Sequence, residues 1–285
     1  MLKVAAIQMR SGMDPAANVS VMRGLVRQAA SAGATYVQTP EMTGMLERSR
    51  EALFAKLKPE QSDPVVAAAR ELAIAHQIHL HIGSTAILLP DGKVANRAFL
   101  FAPNGDLVTT YDKIHMFDVD LDKGESWRES NTYTPGERAV IATLTFGKLG
   151  FAVCYDLRFP QLFRAEAKAG AHILTAPAAF TKQTGEAHWH VLLRARAIEN
   201  GAFLISAAQA GLHEDGRETY GHSMVIDPWG QIVAEALTDE PQVVSAEIDL
   251  SQVAQARKKI PNLNNARAFS VDEVQHMPKK EGRVA

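Results

Sequence analysis

From its second residue to its last predicted helix the chain alternates short apolar runs with segments of helical period, and that alternation restricts it to an α/β architecture. Residues 2–9 read as a buried strand, and residues 18–32 as a helix capped by Asn18. A short strand at 36–39 stops at Pro40-Glu41. Over residues 64–76, Val65, Ala68, Ala69 and Leu72 recur on one helical face, and 79–89 returns to strand character. Strands at 98–101 and 107–111 flank Pro103-Asn104-Gly105, a hairpin signal.

A polar stretch, residues 112–138, lacks periodicity; loops of that length inside a compact domain are commonly functional. Strands at 139–146 and 148–153 meet at Gly147. A helix at 160–169, a strand at 172–176, a helix at 189–200 stopped by Gly201 and a strand at 202–207 follow. Strands at 223–226 and 232–236 pair across Asp227-Pro228-Trp229-Gly230, and a strand at 243–248 and a helix at 251–260 close the pattern. No Ser/Gly linker, repeat or low-complexity tract divides the chain. One domain over residues 1–270 with a tail at 271–285, which carries Lys279-Lys280-Glu281, is the expected organisation.

A hydrophobic fraction of 46% in 285 residues supplies a sizeable core. The net charge of −2, with no basic cluster, disfavours nucleic acid and membrane surfaces as partners. One cysteine excludes an internal disulfide and any multi-cysteine metal site. No signal-peptide pattern opens the chain and no run approaches the roughly 18 apolar residues of a membrane span, so a cytoplasmic location is expected.

That single cysteine, Cys154, sits where the apolar run ending at Val153 gives way to a turn and then a helix. In α/β folds this is the rim where sites form, and the N–H of the next residue, Tyr155, is placed to face a developing oxyanion. A small buried hydrophobe is the competing reading. A nucleophilic thiol also needs a base and a charge partner. Among ten histidines, His115, His188 and His190 can each be argued, and spacing singles out none. Glu41 and Lys113 stand out by place, since each follows the end of an apolar strand.

Thr39-Pro40-Glu41, then Tyr111-Asp112-Lys113-Ile114-His115, then Val153-Cys154-Tyr155-Asp156-Leu157-Arg158-Phe159-Pro160 together resemble the nitrilase superfamily of carbon–nitrogen hydrolases, whose members carry Glu, Lys and Cys after successive strands in that order. The likeness extends to about Phe269. Asp112–Asp120, Thr184-Gly185-Glu186-Ala187-His188-Trp189, the segment 193–200 and the segment 221–230 look like the deaminated-glutathione amidases and the neighbouring ω-amidases, and Ala207-Ala208-Gln209 leans towards the former. Glu186 stands where that branch often has Pro.

The resemblance implies a four-layer α-β-β-α sandwich, a homodimer or larger assembly, and hydrolysis of a small amide without metal or organic cofactor. It implies Cys154 as nucleophile, Glu41 as general base, and Lys113 with the Tyr155 N–H as oxyanion partners. A second glutamate is expected after the lysine: Glu129 matches it, with Glu125 as the fallback. Hydrolysis of deaminated glutathione to 2-oxoglutarate and Cys-Gly is the implied reaction, with Arg158, Thr181 and His188 as candidates for its free carboxylate. An ω-amidase acting on α-ketoglutaramate, a nitrilase, a carbamoyl hydrolase and an inert scaffold are the alternatives.

Two further patterns carry competing chemistry. Asp118-Val119-Asp120-Leu121-Asp122, with Glu129 in the twelfth place, mimics a calcium loop, but Lys123 occupies the sixth place and Gly124 comes one position late. His79 and His81 share one strand face, where a packing role is expected because no third ligand is evident.

Overall fold

A computed structural model describes residues 1–121 and 126–276. Strands β1 (Leu2–Gln8), β2 (Tyr36–Gln38), β3 (His79–Leu88), β4 (Val94–Phe101) and β5 (Leu107–Asp112) come first, followed by a small hairpin of β6 (Asp118–Asp120) and β7 (Ser126–Arg128). Next are β8 (Ile141–Leu144), β9 (Gly147–Gly150), β10 (Ile173–Thr175) and β11 (Phe203–Ser206). A second hairpin of β12 (Ala210–Leu212) and β13 (Glu218–Tyr220) precedes β14 (Met224–Ile226), β15 (Ile232–Glu235) and β16 (Gln242–Ile248). The helices are α1 (Pro15–Ser31), α2 (Arg50–Lys56), α3 (Pro64–His76), α4 (Pro160–Lys168), α5 (Lys182–Asn200) and α6 (Ser251–Lys259).

Two six-stranded sheets result, in the orders β16-β1-β2-β3-β4-β5 and β15-β14-β11-β10-β9-β8. Each has three parallel strands at its centre, β1-β2-β3 and β9-β10-β11, joined through helices. Antiparallel strands complete both. Because the central strands are covered on both faces, they read as continuous apolar runs. In β1, Ala5 and Ile7 join Met22, Val26, Val65, Ala69 and Leu72 of α1 and α3. Val4 and Ala6 point the other way, into a core with Leu149, Ile173 and Leu204 of the second sheet, which reaches Trp189 and Leu193 of α5. This is the α-β-β-α sandwich. No helix among the described residues is long and apolar enough to cross a membrane.

Most expected elements form within a residue or two of their expected ends. Helix α1 starts earlier, at Pro15, where proline's fixed φ suits the first helical position and the Asp14 carboxylate accepts from Ala16 N at 2.9 Å. Asn18 is therefore not the cap: it lies inside the helix, donating to the Gly12 and Gly44 carbonyls at 2.9 and 2.8 Å. Helix α5 begins at Lys182 instead of Trp189, and Gly185 is what lets its first turns approach β13. A Cβ at Gly185 would lie 2.2 Å from the Tyr220 Cβ.

Between the sheets His79 packs edge-on against Phe146 at 5.3 Å, and His81 lies 4.9 Å from Phe151. Burial brings the His81 pKa down to about 3, so the ring is neutral, with Nδ1 2.8 Å from the Tyr36 hydroxyl. The expected packing role fits both rings.

Glu166 of α4 carries a testable cost. It is 1% exposed and accepts from Phe151 N at 3.0 Å, and burial, then the charge of Asp156, push its carboxyl well above the ordinary range. An acid whose folded pKa is raised weakens the fold as pH rises from its unfolded pKa through the folded one. Glu166→Gln keeps the acceptor and removes the titration. We expect its Tm relative to wild type to increase between pH 4.5 and 8 in thermal scans; a pH-independent difference would contradict this.

Candidate active site

The turn after β2 is tied down by Thr39, whose hydroxyl stands 2.7 Å from that of Thr43 and accepts from Gly83 N at 3.1 Å. Gln209 holds the next stretch: its amide donates to the Glu41 carbonyl at 3.0 Å and to the Ser11 hydroxyl at 2.7 Å. These bonds fix a carboxylate that is 4% exposed at the carboxyl end of a central strand. Lys113, at the end of β5, is bound through its own N–H to the Asn96 carbonyl at 3.0 Å.

Cys154 opens a tight 3-10 turn, Cys154–Arg158, with φ of +51°, a left-handed conformation that costs a non-glycine residue about 1–3 kcal/mol. Asp156 holds that turn against the lysine segment. Its Oδ2 accepts from Val153 N at 2.9 Å and the Tyr111 hydroxyl at 2.6 Å; its Oδ1 accepts from His115 N at 3.0 Å and lies 2.6 Å from His115 Nδ1. His115 is thus bound to Asp156 and stacked on Phe159 with ring centroids 3.5 Å apart.

The three residues singled out by place meet in one cavity of about 190 Å³. Lys113 Nζ donates to Glu41 Oε1 at 2.9 Å and to both oxygens of Glu129, at 3.0 and 2.8 Å. The Asn96 amide bridges the same carboxylates, 2.9 Å from Glu41 and 3.1 Å from Glu129. Glu41 Oε2 accepts from Ala179 N at 2.8 Å, and the Cys154 thiol lines the cavity beside this carboxylate. Glu129 also accepts from Phe117 N at 2.7 Å. It is committed to Lys113 and not turned towards Asp118 and Asp120 as a calcium loop would need. Glu125, Asp122, Lys123 and Gly124 lie outside the described residues.

The charges follow from burial and neighbours. Desolvation alone would raise the Glu41 pKa, but the Lys113 charge and hydrogen bonds from Cys154, Lys113 and Asn96 outweigh it, and the carboxyl is held below its ordinary value. Burial opposes the Lys113 charge too, yet Glu129 and Glu41 keep it well above its usual range. Burial, then the charge of Glu41, push the Cys154 thiol well up. The resting state is therefore a neutral thiol beside an ionised carboxylate and an ammonium.

The carbon–nitrogen hydrolase model matches residues 3–258. This chain belongs to that family. The deaminated glutathione amidase of Yersinia enterocolitica is 39% identical over 273 residues, covering 94% of this chain and 93% of that protein. The C. elegans NitFhit protein superposes with a TM-score of 0.87 at 33% identity, over 93% of this chain but only 65% of that longer one. The amidase from Nesterenkonia sp. AN1, solved with acrylamide added at its active-site cysteine, has a TM-score of 0.75 at 26% identity over 92% of this chain and 98% of that one. As a carbon–nitrogen hydrolase the protein is an enzyme, and the Yersinia and Nesterenkonia relatives are amidases by name.

The residues expected to meet a substrate carboxylate in this hydrolase divide. Thr181 lines the cavity, its hydroxyl 2.8 Å from that of Thr184. Arg158 and His188 do not line it. Both terminal guanidinium nitrogens of Arg158 stand 3.3 Å from His188 Nδ1, and the group lies 5.2 Å from the ring of Phe180, which does line the cavity.

Two cations escaped the sequence reading. Arg48 and Arg217 line the cavity and stand over the Trp127 ring at 4.8 and 5.0 Å. Arg217 is paired with Asp215 at 2.9 Å, whereas Arg48 has no ion-pair partner among the described residues. Asn96 and the Ala179 N–H were missed as well. They carry no sequence signal, since one is a strand amide and the other a backbone group.

Proposed function

We propose that this carbon–nitrogen hydrolase cleaves an amide of a small carboxylate-bearing acid, deaminated glutathione foremost, through a thioester on Cys154. One observation carries the reading: the only thiol, Cys154, lines the same cavity as a single carboxylate, Glu41, and the ammonium of Lys113 that stands 2.9 Å from it. Support also comes from the family membership, the name of the Yersinia relative and the reactive cysteine of the Nesterenkonia amidase.

In the proposed sequence Cys154 Sγ attacks the amide carbon as Glu41 takes its proton. The carbonyl oxygen becomes an oxyanion held by Lys113 Nζ and the Tyr155 N–H. Glu41 returns the proton to the amide nitrogen, the C–N bond breaks and the amine leaves. Water then adds to the thioester while Glu41 accepts a proton from it. Collapse expels the sulfur, which is reprotonated, and frees the acid. Glu129 is a positioning residue that fixes Lys113 and balances its charge. For deaminated glutathione the products are Cys-Gly and 2-oxoglutarate, and Arg48 with Thr181 is assigned to the substrate's free carboxylate.

A substrate panel of deaminated glutathione, α-ketoglutaramate, a simple nitrile and an N-carbamoyl amine tests this. We expect kcat/KM to be highest for the first by at least about tenfold, and Arg48→Ala to raise its KM about 10–100-fold, the loss of a charge-assisted contact, with little change in kcat. Faster turnover of α-ketoglutaramate would make the enzyme an ω-amidase.

A homodimer in the cytoplasm completes the proposal. Val191, Ile198 and Trp229 are exposed apolar side chains on α5 and the β14–β15 turn, a composition suited to association. Light scattering should give twice the chain mass of 31.0 kDa, and a monomer mass would refute the dimer.

A further inference from the structure

Away from the catalytic cavity, two imidazoles and a carboxylate converge where α5 meets the β13–β15 segment. His190 Nε2 and His222 Nδ1 each stand 2.7 Å from the same oxygen, Glu235 Oε1. The three candidate ligand atoms all lie within 4.8 Å of one another. The side chains are 32%, 27% and 16% exposed, so the cluster is open to solvent from one side.

The surroundings aim these groups. His222 has φ of +54° and follows Gly221 at +72°, so the chain turns sharply after β13 and carries the imidazole towards Glu235. Trp189, the residue before His190, fixes that turn by donating its indole N–H to the His222 carbonyl at 2.9 Å. The Tyr220 ring stacks on His222 at 4.4 Å, and its hydroxyl is 3.5 Å from the far nitrogen of His190, Nδ1. Once an ion replaces the proton between Nε2 and Glu235, the remaining proton sits on Nδ1, where it can be donated to that hydroxyl, and the Nε2 lone pair faces the ion.

We infer that His190, His222 and Glu235 form a site for one zinc ion, clamping α5 to the β13–β15 segment. Two imidazole nitrogens and one carboxylate oxygen are a three-ligand zinc set, with water in the fourth position. The nitrogen ligands disfavour magnesium and calcium, which prefer all-oxygen shells. Metal–ligand distances of about 2.0–2.1 Å at tetrahedral angles place neighbouring ligand atoms about 3.3 Å apart. The pairs at 2.7 Å thus open slightly as the ion displaces the protons between them. No bond of the amide reaction passes through this site. Its mechanical link to the cavity is short: Tyr220 N donates to the Phe180 carbonyl at 2.9 Å, and Phe180 lines the catalytic cavity.

The test uses the tag-free, metal-stripped full chain carrying Cys154→Ala, so that no thiolate competes. Titration with Co²⁺ should give a visible d–d absorption that saturates at one equivalent and is displaced by Zn²⁺. Zn²⁺ should also raise the Tm. His190→Gln and Glu235→Gln should each weaken Zn²⁺ binding by at least about 100-fold and abolish the Tm rise, with circular dichroism reporting that both variants remain folded. Absence of cobalt absorption in the parent chain, or equal zinc affinity in the folded variants, would overturn the inference. Neither result bears on the amidase proposal, which rests on other residues.

Discussion

Cys154→Ala is expected to lower kcat/KM by at least about 10⁴-fold, the scale seen when a nucleophile acting with its base is removed. The Thr181 and Thr184 hydroxyls are bonded to each other, and Glu41 is held by three donors besides the thiol. The fold should hardly notice. Cys154 is small, its N–H bond to the Pro177 carbonyl at 2.9 Å belongs to the backbone, and the Asp156 bonds that hold the turn are untouched. A Tm close to wild type, beside lost turnover, separates chemistry from folding. Acid-quenched wild type incubated with substrate should carry an acyl mass on Cys154 that the variant lacks. Retention of most of the activity by the alanine variant would end the thioester proposal. Because the resting thiol is neutral, its alkylation should be slow at pH 7 and quicken as pH rises, even though the amide reaction proceeds at neutral pH through Glu41.

What could be read in advance was what local sequence determines. Apolar runs such as those of β1 and β3 declare strands because both faces are buried, and Gly201, at φ of +52°, stops α5 as a glycine at that place should. The placement of Glu41, Lys113 and Cys154 at strand ends was legible for the same reason: strand ends are visible in the pattern, and α/β folds gather such ends at one rim. Their convergence was not legible from spacing, since 72 residues separate Glu41 from Lys113. It came from the resemblance. The substrate side was the least legible. Arg158, a candidate for the substrate carboxylate, stands against His188 in this structure, a contact that spacing does not announce. Nothing local singles out Arg48 and Arg217, because their common partner, Trp127, is distant from both in the chain. The short helix α2 was missed because seven residues hold too few turns for a periodic signal.

Lys113→Met should be the most damaging substitution for the fold as well as for activity. The methionine matches much of the lysine stem, but it leaves Glu41 and Glu129 facing each other without the ammonium that separates them. Breaking a buried ion pair by removing one partner costs about 3–5 kcal/mol, and here one cation serves two carboxylates. The sign with pH follows. In wild type the depressed Glu41 pKa gives stability that is present above its unfolded pKa and is lost as pH falls through the folded one. In the variant the two carboxylates repel and at least one pKa rises, so stability is lost as pH climbs from about 4.5. The Tm gap between the two proteins should therefore be widest near pH 7–8 and narrow towards pH 4–5. Adding Glu129→Gln to Lys113→Met should recover part of the lost Tm, since it removes one of the stranded charges, whereas Glu129→Gln alone in wild type should lower Tm by stripping a partner from Lys113. That change of sign is a coupling that a purely steric account of the site does not produce. Activity should stay low in both variants that lack the ammonium, because the neutral replacement can neither favour the thiolate nor hold an oxyanion. A double variant no more stable than Lys113→Met would mean that the carboxylates are solvated once the lysine is gone, and that the cavity is wetter than the 2% exposure of Lys113 implies.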